Sequence, residues 1–319
     1  MEFPDEVSYK RRLAQASNAS QPMRTKRVFP KWPWLLLLLT APLLPALWVV
    51  HRARPLLFPY RNRVTESARH EALHRLPNLE DVSWRTKDDL TLRGWFAPGS
   101  LKDAVVFVHG LTSNRTAFLP EAELLNSRGH GVLLYDSRAS GESDGKLATW
   151  GDRERLDIKG ALDFLAARVD VEPGRVGIFG CSVGGSAAAL TSAEDLRIRA
   201  VLLGPTWLSL EDELHQDFQQ AGRLSGWGMV TAFRIAGVNV DAVRPVDLVR
   251  RIAPRPLLML SGSEDTDTPP AIMQKLQAAA PGAERWVVPG AGHCMYFDAS
   301  PVEYRRRFVE FFDGALGRR

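Results

Sequence analysis

With 319 residues, 45% of them hydrophobic and 24% charged, the chain is long enough for one large core, and its composition excludes a disordered or fibrous protein. The net charge of +4 is supplied by residues 1–31, which carry seven Lys or Arg against three acids, so the remainder sums to zero. Basic stretches flank an apolar segment instead of forming a stripe within a folded domain, which points to a membrane surface and away from nucleic acid.

In chain order, the basic tail leads into residues 32–50, nineteen residues without a charge between Lys31 and His51. As a helix this run reaches roughly 28 Å, about the hydrocarbon thickness of a bilayer. Trp32, Trp34 and Trp48 lie at its ends, where amphipathic rings favour the interface, and Pro33, Pro42 and Pro45 are better tolerated in membrane helices than in soluble ones. The expectation is a single-pass transmembrane anchor. A cleaved signal peptide with a long basic leader is the competing reading, but no small-x-small site follows the run. Positive charge on both flanks (Arg24, Lys26, Arg27, Lys31; Arg52, Arg54, Arg61, Arg63) leaves orientation open, with a leaning to a cytoplasmic N-terminus and an outward-facing body.

Residues 51–80 are rich in Arg, His and Pro without a sustained period and read as a juxtamembrane linker with room for a short helix. Within them, His70-Glu71-Ala72-Leu73-His74 satisfies the H-E-x-x-H zinc pattern. Pro77 stops a helix one turn later, Arg69 and Arg75 put positive charge beside a would-be cation, and no third ligand is near, so a solvated helix is the preferred reading and no metal is expected.

From residue 81 the pattern becomes regular. Strand-like runs at 82–86 and 90–96 are split by Lys87, Asp88 and Asp89, a hairpin signal. Strands at 104–108, 131–135, 175–179, 200–203, 256–260 and 286–288 then alternate with helices near 117–127 and 153–168, from 182, after 269 and from 302. This rhythm predicts an α/β fold with a mostly parallel central sheet, helices on both faces and an antiparallel N-terminal hairpin, over residues 81–319. Residues 205–245 interrupt it with an insertion containing Trp207, Phe218, Trp227 and Phe233, either a cap over the carboxyl edge of the sheet or an ordinary helix pair whose aromatics are core.

Gly180-Cys181-Ser182-Val183-Gly184 follows a predicted strand and opens an Ala-rich helix, the context of a G-x-S-x-G nucleophile elbow. Acyl transfer also needs donors for a developing oxyanion. Val108-His109-Gly110-Leu111 ends an earlier strand, so the candidate donors are the amides of Leu111 and Val183, with His109 structural. A serine hydroxyl needs a base. Of the two histidines after Ser182, His293 lies in a small-residue loop after the last strand, whereas His215 sits in the acidic run Glu211-Asp212-Glu213 and reads as a solvated helix face. The acid is expected in Ser261-Gly262-Ser263-Glu264-Asp265-Thr266-Asp267-Thr268-Pro269. Cys181 and Cys294, each beside one of these residues, read as small packing residues, not as a bridge across the site.

These motifs, in this order, resemble the α/β-hydrolase superfamily from about residue 82 to the C-terminus, particularly its serine aminopeptidase-like and membrane-anchored acyl hydrolase branch. The resemblance selects Asp265, three residues after a glycine and four before a proline, as the acid. Asp136-Ser137-Arg138-Ala139-Ser140-Gly141-Glu142-Ser143 is similar to the family's D-x-R-G-x-G-x-S segment, with Ala139 where glycine is usual. The expected function is a cofactor-independent serine hydrolase with the triad Ser182, Asp265 and His293, acting on a small-molecule or lipid-like acyl ester or thioester, tethered through residues 32–50 with its body on the non-cytoplasmic side. A peptidase of the same fold, recognising an amino terminus through Glu211, Asp212 or Glu213, and a non-catalytic membrane-tethered module are the alternatives.

Overall fold

Each core strand is a short run of β-branched and aliphatic residues whose alternate side chains enter opposite layers. In β3 (Ala104–Val108), Val105 and Phe107 belong to one buried cluster and Val106 and Val108 to another. The computed structural model, which describes residues 43–317, places β3 at the centre of an eight-stranded sheet. The other strands are β1 (Glu80–Arg85), β2 (Thr91–Ala97), β4 (Gly131–Tyr135), β5 (Val176–Gly180), β6 (Ile198–Leu203), β7 (Leu257–Gly262) and β8 (Glu284–Val288), in the order β1-β2-β4-β3-β5-β6-β7-β8. The β1–β2 and β2–β4 pairs are antiparallel and the rest parallel. The fold is therefore the α/β-hydrolase arrangement expected, a mostly parallel sheet with an antiparallel hairpin at its start.

Strands buried on both faces require helices on both. One face is covered by α4 (Glu154–Ala166), α5 (Val183–Glu194) and α9 (Pro270–Ala278), through Ile158, Ala187 and Met273 among others. The other receives α2 (Glu66–Arg75), α3 (Leu119–Ser127) and the last helix, α11 (Pro301–Leu316), through Ala72, Leu125, Tyr304, Phe308 and Phe312. Between α9 and α11 lies the short α10 (Tyr296–Ala299). Because the chain passes from β3 to β4 on one side and then returns to β5 on the other, the carboxyl ends of β3 and β5 form a switch point, where crossing loops diverge and leave a crevice.

Residues 205–245 build α6 (Leu210–Phe218) and α7 (Arg223–Ile235), followed by the short α8 (Pro245–Leu248). Ser209 caps α6, accepting the Asp212 N–H at 3.1 Å. Leu210, Leu214, Phe218, Met229 and Phe233 are buried in a third cluster that also takes in Ala53 and Leu57 of α1 (Leu43–Leu57).

Residues 51–80, expected as a juxtamembrane linker with room for a short helix, complete α1 and hold the helix α2. Ala53 and Leu57 seal the insertion, and Ala72 and Leu76, one helical turn apart, pack onto the sheet layer. The small apolar residues at i, i+4 spacing are diluted by Arg and His, which is why the run shows no period. Its helix α2 holds His70, Glu71 and His74, with Glu71 engaged by Arg75 at 3.0 Å. Of the expected membrane span, residues 32–42 lie outside the described residues. Residues 43–50 open α1, which runs on past the expected boundary, and among the described residues no helix is long and apolar enough to cross a membrane.

Candidate active site

At the switch point β5 turns into α5 within two residues. Ser182 takes φ 59° and ψ −125°, a conformation that non-glycine residues avoid. The flanking glycines make this possible: a Cβ on Gly180 would stand 2.3 Å from the Gly184 carbonyl oxygen, and one on Gly184 would stand 2.1 Å from that of Val108. The Ser182 N–H donates to Pro205 O at 2.7 Å, fixing the elbow against the loop after β6.

His293 and Asp265 arrive from the loops after β8 and β7. A side chain on Gly262 would collide with the Ala291 carbonyl oxygen at 2.1 Å, so glycine there lets the two loops touch. His293 Nδ1 lies 2.9 Å from Asp265 Oδ2. Asp265 is 3% exposed, and its Oδ1 accepts the N–H groups of Thr268 at 2.8 Å and Asp267 at 3.0 Å. Ser182 and His293 line one cavity of about 460 Å³, together with Leu111 and Val183. Among the described residues the N–H groups of Leu111 and Val183 have no backbone or side-chain acceptor. Val183 is also the first residue of α5, where the helix dipole favours negative charge.

His109, buried beneath this loop, donates from Nδ1 to Gly110 O at 2.7 Å and accepts the Ser137 N–H on Nε2 at 3.1 Å. Both nitrogens are occupied, and burial lowers its proton affinity, so it is a neutral strut. Gly110 lies so close to the elbow that a Cβ would sit 3.2 Å from Ser182 Cβ.

The loop after β4 is organised by Asp136, fully buried, which accepts the Arg115 N–H at 2.8 Å, its guanidinium at 2.9 Å and the Glu142 N–H at 2.8 Å. Ala139 keeps the loop's shape despite replacing glycine, at the cost of φ 60°. Ala139→Gly is expected to raise stability by about 0.5–1 kcal/mol, since the left-handed conformation costs a non-glycine residue roughly 1–2 kcal/mol and part of that is returned as chain entropy. A melting point up by about 1–3 °C would show it; no rise would mean the methyl's packing offsets the strain.

Three further carboxylates line the same cavity, Glu213 and Asp217 from α6 and Asp267 two residues after Asp265. Of the acidic run expected to recognise an amine, only Glu213 faces it; Asp212 accepts from the Ser209 hydroxyl at 2.5 Å, and Glu211 lies 3.8 Å from Arg234. Burial, and then the charges of Asp217, Asp267 and Asp265, raise Glu213 to about 8. Asp217 went unremarked in the sequence, although its i, i+4 relation to Glu213 places both on one helix face. His215 is not a solvated helix residue: it is half-buried, with its ring packed edge-on to Trp227 at 4.8 Å. It does not line the cavity that Ser182 shares with His293.

The expectation for the two cysteines also needs correction. Cys181 and Cys294 form a disulfide with a Cα–Cα separation of 6.2 Å. The elbow follows β5 and the His293 loop follows β8, three strands along the sheet, so residues 113 apart in sequence become neighbours, which no local pattern reveals.

Comparison with known proteins agrees with this architecture. The sequence model of the alpha/beta hydrolase family matches residues 105–307. The uncharacterized protein YfhR of Escherichia coli O157:H7 is 29% identical over 249 residues, 75% of this chain and 82% of that protein. The uncharacterized protein Rv2307c of Mycobacterium tuberculosis is 30% identical over 223 residues, 68% of this chain and 73% of that one. Among solved structures, the esterase Pf2001 of Pyrococcus furiosus is similar with a TM-score of 0.65 and 25% identity, over 81% of this chain and all of that one. A match over more than half of the chain, spanning the elbow and the loops of Asp265 and His293, assigns the protein: it belongs to the alpha/beta hydrolase family.

Proposed function

We propose that this family member is a membrane-anchored serine hydrolase that cleaves carboxylic ester or thioester bonds through an acyl-enzyme on Ser182. The observation that carries the reading is the convergence on one cavity of a left-handed Ser182 and a His293 hydrogen-bonded to buried Asp265. With its Nδ1–H donated to Asp265, the imidazole presents Nε2 as the base. It takes the Ser182 proton as Oγ attacks the acyl carbon, the amides of Leu111 and Val183 hold the oxyanion, and the imidazolium protonates the leaving group. Water deprotonated by the same histidine then releases the acid. No step needs a metal or organic cofactor.

The acyl substrate is small or lipid-like, and residues 32–50 form the anchor. The disulfide Cys181–Cys294 supports a body on the non-cytoplasmic side, since such bonds persist in oxidising compartments. The test is a fluorophosphonate probe on the full chain: a single adduct on the Ser182 peptide is expected, and a folded protein that never labels would overturn the reading in favour of a non-catalytic module.

The carboxylates of Glu213, Asp217 and Asp267 favour a second reading, in which the substrate carries a cationic group, as the amino terminus of a peptide does. Glu213→Gln should then raise KM for esters bearing a quaternary ammonium group at pH 9, where Glu213 is ionised, while leaving neutral esters unchanged. The same variant has a stability signature. Because Glu213 holds its proton more tightly folded, at about 8, than at its ordinary 4.5, wild type loses stability as pH rises between those values. The melting point of the variant should gain on wild type from pH 5 to pH 9. A constant gap would mean that Glu213 ionises normally.

A further inference from the structure

Outside the catalytic cavity, an apolar groove of about 710 Å³ runs between α1 and α7, walled by Val49, Val50, Leu57, Phe58, Trp227 and Ile235. The two helices touch closely, since a Cβ on Gly228 would stand 2.6 Å from Val49 Cγ2. Around the groove the surface remains apolar: Leu47 is 64% exposed, Val50 60%, Leu224 82%, Trp227 59% and Ile235 81%. Leu224, Trp227 and Ile235 follow the i, i+3, i+11 positions of one helical stripe, while Met229, Val230 and Phe233 on the other side of α7 are buried. A helix of a water-soluble cap presents one apolar face; α7 presents two, and an outer face of this size marks a contact surface.

Charge and chain direction identify what covers it. Neither α1 nor α7 contains an acidic residue, whereas Arg52 and Arg54 on α1 and Arg63 just beyond it are exposed. A second copy meeting this face through a twofold axis would set these arginines against one another, and the carboxylates beside α7, Asp241 and Glu211, already face Arg234 at 2.7 and 3.8 Å. Anionic phospholipid headgroups supply the missing charge, and acyl chains the apolar partner. The chain enters α1 from residues 32–42, which carry no charge.

We propose that the α1–α7 face is a bilayer-docking surface, by which the folded domain itself lies in the headgroup region of an anionic membrane with Leu47, Val50, Leu224, Trp227 and Ile235 in contact with acyl chains. This rests on the membrane attachment proposed above but assigns a second contact, made by α7 of the catalytic domain beside the last residues of the anchor, Leu47 and Val50. It also has a consequence for access. Phe233, on the inner side of α7, packs against Trp150 at 5.8 Å, and Trp150 against Trp207 at 5.3 Å. Trp150 and Trp207 are walls of the catalytic cavity, so the helix that meets lipid also backs the acyl site.

The test uses the full chain reconstituted into vesicles of phosphatidylcholine and phosphatidylglycerol, with an environment-sensitive fluorophore on Trp227→Cys, Ile235→Cys or, as a reference, Val169→Cys, whose native side chain is 98% exposed. The native cysteines are bonded to each other and do not compete for the label. The expected result is blue-shifted emission at 227 and 235, quenched by doxyl-labelled lipids and shielded from iodide, with the opposite behaviour at 169. Labels at 227 and 235 that iodide quenches as readily as the one at 169, in protein that floats with the vesicles, would overturn the proposal while leaving the anchor intact. Shielding from both quenchers would overturn it too, because a second copy or residues 32–42 would then cover the groove. Protein that does not float overturns both membrane contacts. Fluorophosphonate labelling of the same samples reports the hydrolase reading separately.

Discussion

Ser182→Ala and His293→Ala are each expected to lower kcat by roughly a million-fold with little change in KM, and Asp265→Asn by roughly ten-thousand-fold. The asymmetry follows from hydrogen bonds. Removing the oxygen nucleophile or the base deletes the reacting group, and because the two act in one proton transfer, the double variant should be no worse than either single one. Asp265 acts through orientation. Its Oδ1 already accepts two backbone N–H groups from Asp267 and Thr268, so an asparagine would keep its oxygen there and turn its amide towards His293. An amide N–H facing Nδ1 makes that nitrogen an acceptor and moves the ring proton to Nε2, where it blocks proton abstraction from Ser182. Steady-state kinetics on whichever ester the wild type turns over measure this. An Asp265→Asn enzyme within about tenfold of wild type would mean that the carboxylate is not what sets the tautomer, and the acid would have to be sought elsewhere.

Much of this arrangement can be read from the sequence because the determinants are local. β3 and β4 were expected at 104–108 and 131–135 and occupy those residues, since each is a short apolar run between polar turns. The glycine requirement of the elbow is local at Gly180, whose Cβ would meet the Gly184 carbonyl one turn on, whereas Gly184 is held to glycine by Val108 of the neighbouring strand β3. What escaped reading depends on contacts between distant segments. The Arg-rich residues after the apolar run look solvated until the insertion supplies the surface that buries Ala53 and Leu57. The carboxylate rim joins α6 to the loop after β7, so Asp217 and Asp267 acquire a shared environment only in the folded chain. The same holds for the disulfide, whose halves were each recognised as flanking a candidate catalytic residue but whose approach depends on how β5 and β8 are placed in the sheet.

That disulfide is expected to affect both stability and rate. It closes a loop across 113 residues, and a crosslink of that span removes about 4–5 kcal/mol of chain entropy from the unfolded state. Replacing both cysteines by alanine should therefore lower the melting point by about 8–15 °C. The catalytic effect arises separately. Cys181 precedes Ser182 and Cys294 follows His293, so the bridge pins the nucleophile turn to the loop that carries the base. Without it, the His293 loop is held by Asp265 and by the backbone bonds between residues 262–264 and 288–291, and a drift of about 1 Å in the imidazole costs roughly a hundredfold in rate. The loss should appear in kcat, leaving KM nearly unchanged, because binding walls such as Trp150 and Trp207 do not depend on the bridge. Cys181 is fully buried, which makes the double variant a cleaner test than treatment with a thiol. If the variant melts early yet keeps its kcat below its melting point, the bridge only stabilises the fold. If kcat falls at temperatures where the protein remains folded, the disulfide positions the catalytic base.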